Sequence, residues 1–510
     1  METSEPSERS RLPPDEVITV TTATKPISSH ESHARSHARG FFTVWFVIAL
    51  TGGTAFRFWA LSSRPGWQYD EGVYTGVAAN LLQHGTVNEH ITYGAPWAPD
   101  LYQPPFYFIV LARWFALTGV SIYHARILGV LCTLVGLTLL WRLLLRVHGP
   151  QVALYAMAPI VLDGWLMYVQ RISYMENMLL LLVVAGLLLY QQALDTPSWW
   201  RFVAAGVVLG FASAFKYTGV YVIGAVLLCW LITQRAHLRH LALLGSALAS
   251  FSAAILCEVI VFDTSGHNWW WQDTLVQIRR VLGVQQSGGT LTSPTAALHL
   301  LFAEYDVFAP SFLIALVTLV LALRRLWRCY RERDWRPVKD NALLWSWMAS
   351  AIVIFGFSSL RYPQYFALIL VPMYAWFWTE TRHWRLGTRG RTVLVAVACA
   401  AGIASFCGRI VGYDDNVFAD VQQYAATSIP AHAVVIADEA IGDLISQPYC
   451  REQNTVPCED AASYAITWDT YLQTTSELGD PTYGKIMVGA VRVRSWTGFN
   501  GTVTVWRVRR

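Results

Sequence analysis

Tyr69-Asp70-Glu71 sets two adjacent carboxylates just beyond a membrane-length apolar run, Phe41 to about Leu61. Acidic side chains are costly in lipid. Two together at a membrane exit are therefore either an anchor in the headgroup zone or a site of chemistry. A carboxylate kept ionised at a helix N-terminus by backbone N–H groups and the helix dipole can serve as a general base or a metal ligand. The plainer alternative is that Asp70 only caps a helix and Glu71 is a solvated first-turn acid. Further polar steps interrupt the apolar sequence at Tyr123-His-Ala-Arg126, Arg171-Ile-Ser-Tyr-Met-Glu176, Lys216-Tyr217 and Arg361-Tyr-Pro-Gln-Tyr365. Singly, each could be a snorkelling or interfacial anchor, the reading that Arg126 and Tyr365 invite most.

The element that must position Asp70 follows it directly. Val73, Val77 and Leu81 recur at i, i+4 and i+8, one stripe of a helix lying on the membrane, and Gly85 is a natural stop. The rest of the scaffold is set by composition. A chain of 510 residues with 54% hydrophobic and 14% charged residues is a polytopic membrane protein. Its 23 Trp, 23 Tyr and 23 Phe suit aromatic belts at both interfaces. A net charge of +4, with the cations clustered in short loops, gives no ground for a nucleic-acid partner, and none is expected.

Eleven apolar runs read as spans: 41–61, 126–141, 151–168, 177–192, 201–215, 218–233, 241–262, 306–323, 341–359, 362–379 and 392–411. A further run, Pro104 to Gly119, is short, opens on Pro104-Pro105 and contains Arg113. Read as a juxtamembrane or re-entrant helix, it leaves the basic loops on one face; read as a span, it splits them. The positive-inside rule favours the first arrangement. The N-terminus is then cytosolic and the C-terminus outside. The loops holding Asp70, Glu71, Glu176, Lys216 and Arg361 meet on the outer side.

Residues 1–40 are polar, rich in Ser, Thr, Pro and His, and read as a disordered cytosolic tail. Residues 41–411 form the membrane module. From residue 412 the composition becomes that of a soluble α/β domain. Val417–Ile429 reads as a helix, and Ala433–Ala437, Ala465–Trp468, Lys485–Val488 and Thr502–Trp506 as strands. Cys450 and Cys458 lie close together there and permit a disulfide in an oxidising compartment.

The order of these features resembles the GT-C superfamily of integral-membrane glycosyltransferases, above all the branch of protein O-mannosyltransferases and lipid A aminoarabinose transferases. The motifs that carry the likeness are Asp70-Glu71 with Tyr74, Ala78, Leu81-Leu82 and Gly85, then Pro104-Pro105, Ala125-Arg126-Ile127, Arg171 with Glu176, Lys216 to Gly219, and Arg361-x-Pro363-x-Tyr365. Each is weak alone; their order over residues 41–380 is specific. The resemblance implies a GT-C fold with an outer α/β domain. It also implies transfer of a sugar, hexose or pentose, from a polyprenyl-phosphate donor to a protein, lipid or glycan hydroxyl on the non-cytosolic face, in the plasma (inner) membrane if the source is bacterial.

On that reading Asp70 is the base, with Glu71 and Glu176 as further acids of the catalytic group. Lys216, Arg361, Tyr362 and Arg171 are the candidates to hold the donor phosphate. Asp70 and Glu176 are the places where the superfamily's acids sometimes meet a divalent ion, Mg²⁺ or Mn²⁺. Two departures stand out: Gln103 where the aminoarabinose branch has Lys, and Glu176 where Asp is usual. Tyr74, Gln103 and the loop 263–305 with His267 and Trp270 are expected to line the substrate; an interfacial aromatic belt is the alternative for that loop. A transporter or flippase would place its charges near the midplane in repeated halves, and no repeat is evident here. A non-catalytic member of the fold has no need of acids and cations gathered on one face.

Overall fold

The computed structural model describes residues 29–66, 68–85, 87, 104–233, 238–262, 275, 279, 306–357, 363–384, 386–412, 416–442, 444–451, 458–469, 481–498 and 501–509. Met1–Phe41 and Phe42–Arg510 form separate compact units. The helices are α1 (Ser29–Phe58), α2 (Tyr69–His84), α3 (Phe106–Thr118), α4 (Ile122–His148), α5 (Pro150–Val161), α6 (Gly164–Val169), α7 (Met175–Asp195), α8 (Trp199–Phe215), α9 (Tyr221–Thr233) and α10 (Leu238–Phe262). They continue with α11 (Ala309–Glu332), α12 (Ala342–Phe357), α13 (Pro363–Glu380), α14 (Thr388–Gly412) and α15 (Val417–Ser428).

Every run read as a span is built mainly of helix over its described residues. Among the described residues six helices are long and apolar enough to cross a membrane, α1, α4, α7, α10, α11 and α14, with five shorter apolar helices beside them. The protein is an integral membrane protein. The run Pro104–Gly119 is a 13-residue helix, α3, too short for a bilayer core of about 20 residues.

The run 151–168 is not one helix. It breaks at Leu162-Asp163, where the Asp163 side chain accepts from Leu166 N at 2.8 Å and so caps α6. Asp163 also accepts from Ser311 Oγ at 2.7 Å and from the Tyr374 hydroxyl at 2.8 Å. A broken helix inside a bundle survives where neighbouring side chains satisfy the freed polar groups, and α11 and α13 supply them here.

Close packing of α8 on α10 depends on Gly206 and Gly210, a small-xxx-small pair. A Cβ on Gly206 would lie 2.2 Å from Leu243 O, and one on Gly210 would lie 2.1 Å from Ala247 O. The backbones touch, and Ser246 and Ser250 hydroxyls donate across the interface to Val203 O and Val207 O. That contact fixes the end of α8, where Lys216 sits.

After α14 the chain builds an α/β layer. Five strands, β1 (Val434–Ala437), β2 (Tyr449–Arg451), β3 (Ala462–Trp468), β4 (Val491–Gly498) and β5 (Gly501–Arg507), form a sheet in the order β2-β1-β3-β5-β4. The β1 strand is parallel to β2 and β3, and β5 is antiparallel to β3 and β4. Phe418, Val421 and Ala425 of α15 pack on one face of the sheet, with Phe418 set edge-on to Trp468. Lys485–Val488, expected as a strand, falls instead at the end of the helix Pro481–Met487. Pro481 at its first position presets the helical φ, a signal stronger than the short apolar run Ile486–Val488. Cys450 and Cys458 are joined.

Candidate active site

The start of α2 is built by Glu71. Gln68 caps the helix and Glu71, three residues on, accepts from Gln68 N at 3.1 Å, a capping box. The remaining capacity of the same carboxylate is taken by Arg126 of α4. Arg126 Nε donates to Oε1 at 2.8 Å and Nη2 to Oε2 at 2.7 Å, a bidentate fork. Ser173 N donates to Oε1 at 2.8 Å. Both side chains are fully buried, and Arg126 also donates to Leu61 O and Gly66 O. Glu71 is therefore no solvated first-turn acid, and Arg126 is no interfacial anchor. Together they tie α2, the turn before it, α4 and the turn before α7 into one piece.

Asp70, one residue earlier and about 100° around the helix, is left outside that knot. It is half-buried and accepts from Gln364 Nε2, at the start of α13, at 3.3 Å. Glu176 lies in the first turn of α7, and Lys216 Nζ donates to its Oε1 at 2.7 Å with both side chains buried. Glu176 Oε2 is buried with no hydrogen-bond partner among the described residues. Lys216 ends α8 in an extended conformation, and its ammonium sits 5.2 Å from the Tyr365 ring centroid. Burial alone would lower the Lys216 pKa, but the Glu176 carboxylate, helped by Tyr365 and Asp70, outweighs it and raises it. The ammonium stays charged.

Tyr74, one turn after Asp70, is buried against Tyr107 and Phe108 of α3. Burial first, then the Asp70 and Glu176 carboxylates, hold its phenol well above the ordinary value, so it remains a neutral donor. The Tyr107 hydroxyl pairs with Ser173 Oγ at 2.8 Å. Asp70, Glu176, Lys216, Tyr74 and Tyr365 thus share one electrostatic neighbourhood, assembled from α2, α7, α8 and α13. The short helix Glu439–Gly442 of the α/β layer packs on α2.

Arg171, expected at the donor phosphate, is placed elsewhere. It is buried and donates to Phe56 O and Arg64 O, at 2.8 and 2.7 Å, and to Trp59 O. It closes the C-terminal end of α1, where carbonyls lack intrahelical donors. Gln103, His267, Trp270, Arg361 and Tyr362 lie outside the described residues. Gln364 was missed by sequence reading; its one signal was its place inside the Arg361-to-Tyr365 step. Arg126 was misread because an Arg in an apolar helix demands a partner, and its partner lies 55 residues away in sequence.

The overall architecture is shared with ArnT from Cupriavidus metallidurans. The structure of that protein bound to undecaprenyl phosphate aligns over 91% of this chain and 98% of its own, with a TM-score of 0.62 at 14% identity. The chain has the GT-C fold. The Archaeoglobus fulgidus oligosaccharyltransferase, in a structure with Zn and sulfate, shares this GT-C architecture over 91% of this chain and 73% of its own, at a TM-score of 0.53 and 12% identity. A family model described as dolichyl-phosphate-mannose-protein mannosyltransferase matches residues 102–261. That stretch holds Arg126, Glu176 and Lys216 of the candidate site but neither Asp70 nor Gln364. Comparison with curated proteins gives no match.

Proposed function

We propose that the protein is a glycosyltransferase that moves a hexose or pentose from a polyprenyl-phosphate donor to an acceptor hydroxyl on the non-cytosolic face of the membrane. The observation that carries this reading is the meeting of Asp70, Glu176 and Lys216 at one end of the helical bundle, with Asp70 oriented by Gln364. The GT-C fold and the match to a dolichyl-phosphate-mannose family support it.

In this reaction Asp70 takes the proton of the acceptor hydroxyl as its oxygen bonds to the anomeric carbon. The bond from that carbon to the phosphate oxygen breaks, and its electron pair leaves with the polyprenyl phosphate. Lys216, fixed by Glu176, offers prepositioned positive charge to the leaving phosphate. Arg361 and Tyr362, shortly before Gln364 in sequence, are assigned to the same phosphate. Glu71 acts through position, since its oxygens are engaged with Arg126, Gln68 and Ser173. A divalent ion, Mg²⁺ or Mn²⁺, would be held by Asp70 and by Glu176 Oε2, which has no partner among the described residues, and would neutralise phosphate charge.

The same reading takes the eleven apolar runs as crossings, the N-terminus as cytosolic, and the α/β layer as lying outside, over the site. Asp70→Asn keeps the shape and removes the base. Sugar transfer from a polyprenyl-phosphate donor, measured in proteoliposomes, is expected to fall below detection while the variant elutes and melts like the parent. Turnover retained by the variant would remove Asp70 from its assigned role.

A further inference from the structure

Far from the acidic cluster, an apolar groove of about 460 Å³ opens between α9, α11 and α12. Leu228 and Ile232 of α9, Leu323 and Leu326 of α11, and Met348 and Ala349 of α12 line it. The α9 helix begins five residues after Lys216, and Leu228 lies about 10 Å further along its axis. The groove therefore belongs to the opposite end of the bundle from the candidate active site. Leu323 and Val353 on its walls are exposed, so it faces outward into the space that lipid fills.

Two observations say what fits it. First, its mouth is basic. Lys339 and Trp335 line that end, and the segment Arg324–Lys339 carries seven cations against two acids. Arg336 is exposed one helical turn from Lys339, in a loose surface pair with Asp334 at 4.0 Å that leaves its guanidinium open to solvent. Second, the wall holds a buried donor: Trp345 is 4% exposed and its Nε1 has no acceptor among the described residues. An apolar slot, a buried N–H and a cationic rim, in that order, match the acyl chain, ester oxygen and phosphate of one lipid. Clustered cations at a membrane surface select anionic headgroups, and an indole suits the boundary between acyl chain and headgroup.

We propose that this groove binds an anionic glycerophospholipid. One acyl chain lies between α9, α11 and α12, Trp345 Nε1 donates to the ester oxygen, and Lys339 and Arg336 hold the phosphate. The proposal does not depend on the transfer reaction.

The test uses the full chain in nanodiscs of equal parts phosphatidylglycerol and phosphatidylcholine, with retained lipid read by native mass spectrometry after the disc is stripped. The parent is expected to keep phosphatidylglycerol in excess over phosphatidylcholine. Ala349→Trp, which fills the groove, is expected to lose it. Lys339→Gln with Arg336→Gln is expected to lower the preference by about fivefold for each charge removed. Trp345→Phe keeps an aromatic six-membered ring but removes the donor together with the pyrrole part of the indole, and is expected to weaken retention with folding intact, so the proposal stays testable if Ala349→Trp misfolds. Equal retention of the two lipids by the parent overturns the proposal. So does parental retention in both Ala349→Trp and Trp345→Phe. Displacement of the glycerophospholipid by added polyprenyl phosphate in the parent, absent in Ala349→Trp, would assign the groove to that lipid's tail and equally overturn it.

Discussion

Glu71 and Arg126 sit where water cannot screen them, and each is satisfied only because the other is present. Removing one partner of such a pair leaves a buried charge uncompensated, at about 3–5 kcal/mol. Glu71→Gln and Arg126→Gln are each expected to lower the melting temperature in detergent sharply. The double variant should cost clearly less than the two singles added together, and simple additivity would show the pair to be uncoupled. The neighbouring Asp70 is held differently. Its contact to Gln364 is long, at 3.3 Å, and it remains half-buried. Two adjacent acids are therefore engaged differently, Glu71 in the buried knot with Arg126 and Asp70 with Gln364; the division of labour follows on the proposed function.

At the scale of elements, the cluster depends on where α8 ends, and that depends on two glycines. A side chain at Gly206 meets the backbone oxygen of Leu243, so α8 and α10 must separate to admit it. Gly206→Leu is expected to cost about 1–3 kcal/mol, read as a lower melting temperature, because overpacking forces backbone shifts. Gly245→Ala on α10 is the control: nothing lies within 4 Å of its Cβ, and it should be close to neutral in the same melt. The break between α5 and α6 illustrates the same dependence on neighbours. Asp163 caps α6 locally, but the Ser311 and Tyr374 hydroxyls that complete it come from distant helices.

At the scale of the molecule, the proposed orientation puts the acidic cluster, the α/β layer and the C-terminus on the non-cytosolic side. A C-terminal alkaline phosphatase fusion, which matures only outside the cytosol, is expected to be active, and a green fluorescent protein fusion at the same point dark. The reverse pattern would turn the proposed topology over. The helix Glu439–Gly442 packs on α2, so the α/β layer and the helix bearing Asp70 are parts of one contact surface.

Much of this was legible in the residues. The apolar runs announced the helices, because a bilayer requires about 20 apolar residues whatever the fold. Gly85 announced the end of α2, and its φ of +74° shows why glycine is there. The Asp70, Glu176 and Lys216 steps were visible as polar interruptions that lipid would not tolerate without cause. What the residues could not reveal was pairing. Whether Glu71 meets water or Arg126, whether Arg171 serves a ligand or closes α1, and which side chain turns Asp70 toward the site are all contacts across large sequence separations. Local pattern carries the cost of a charge in an apolar chain; only tertiary structure decides which partner offsets it.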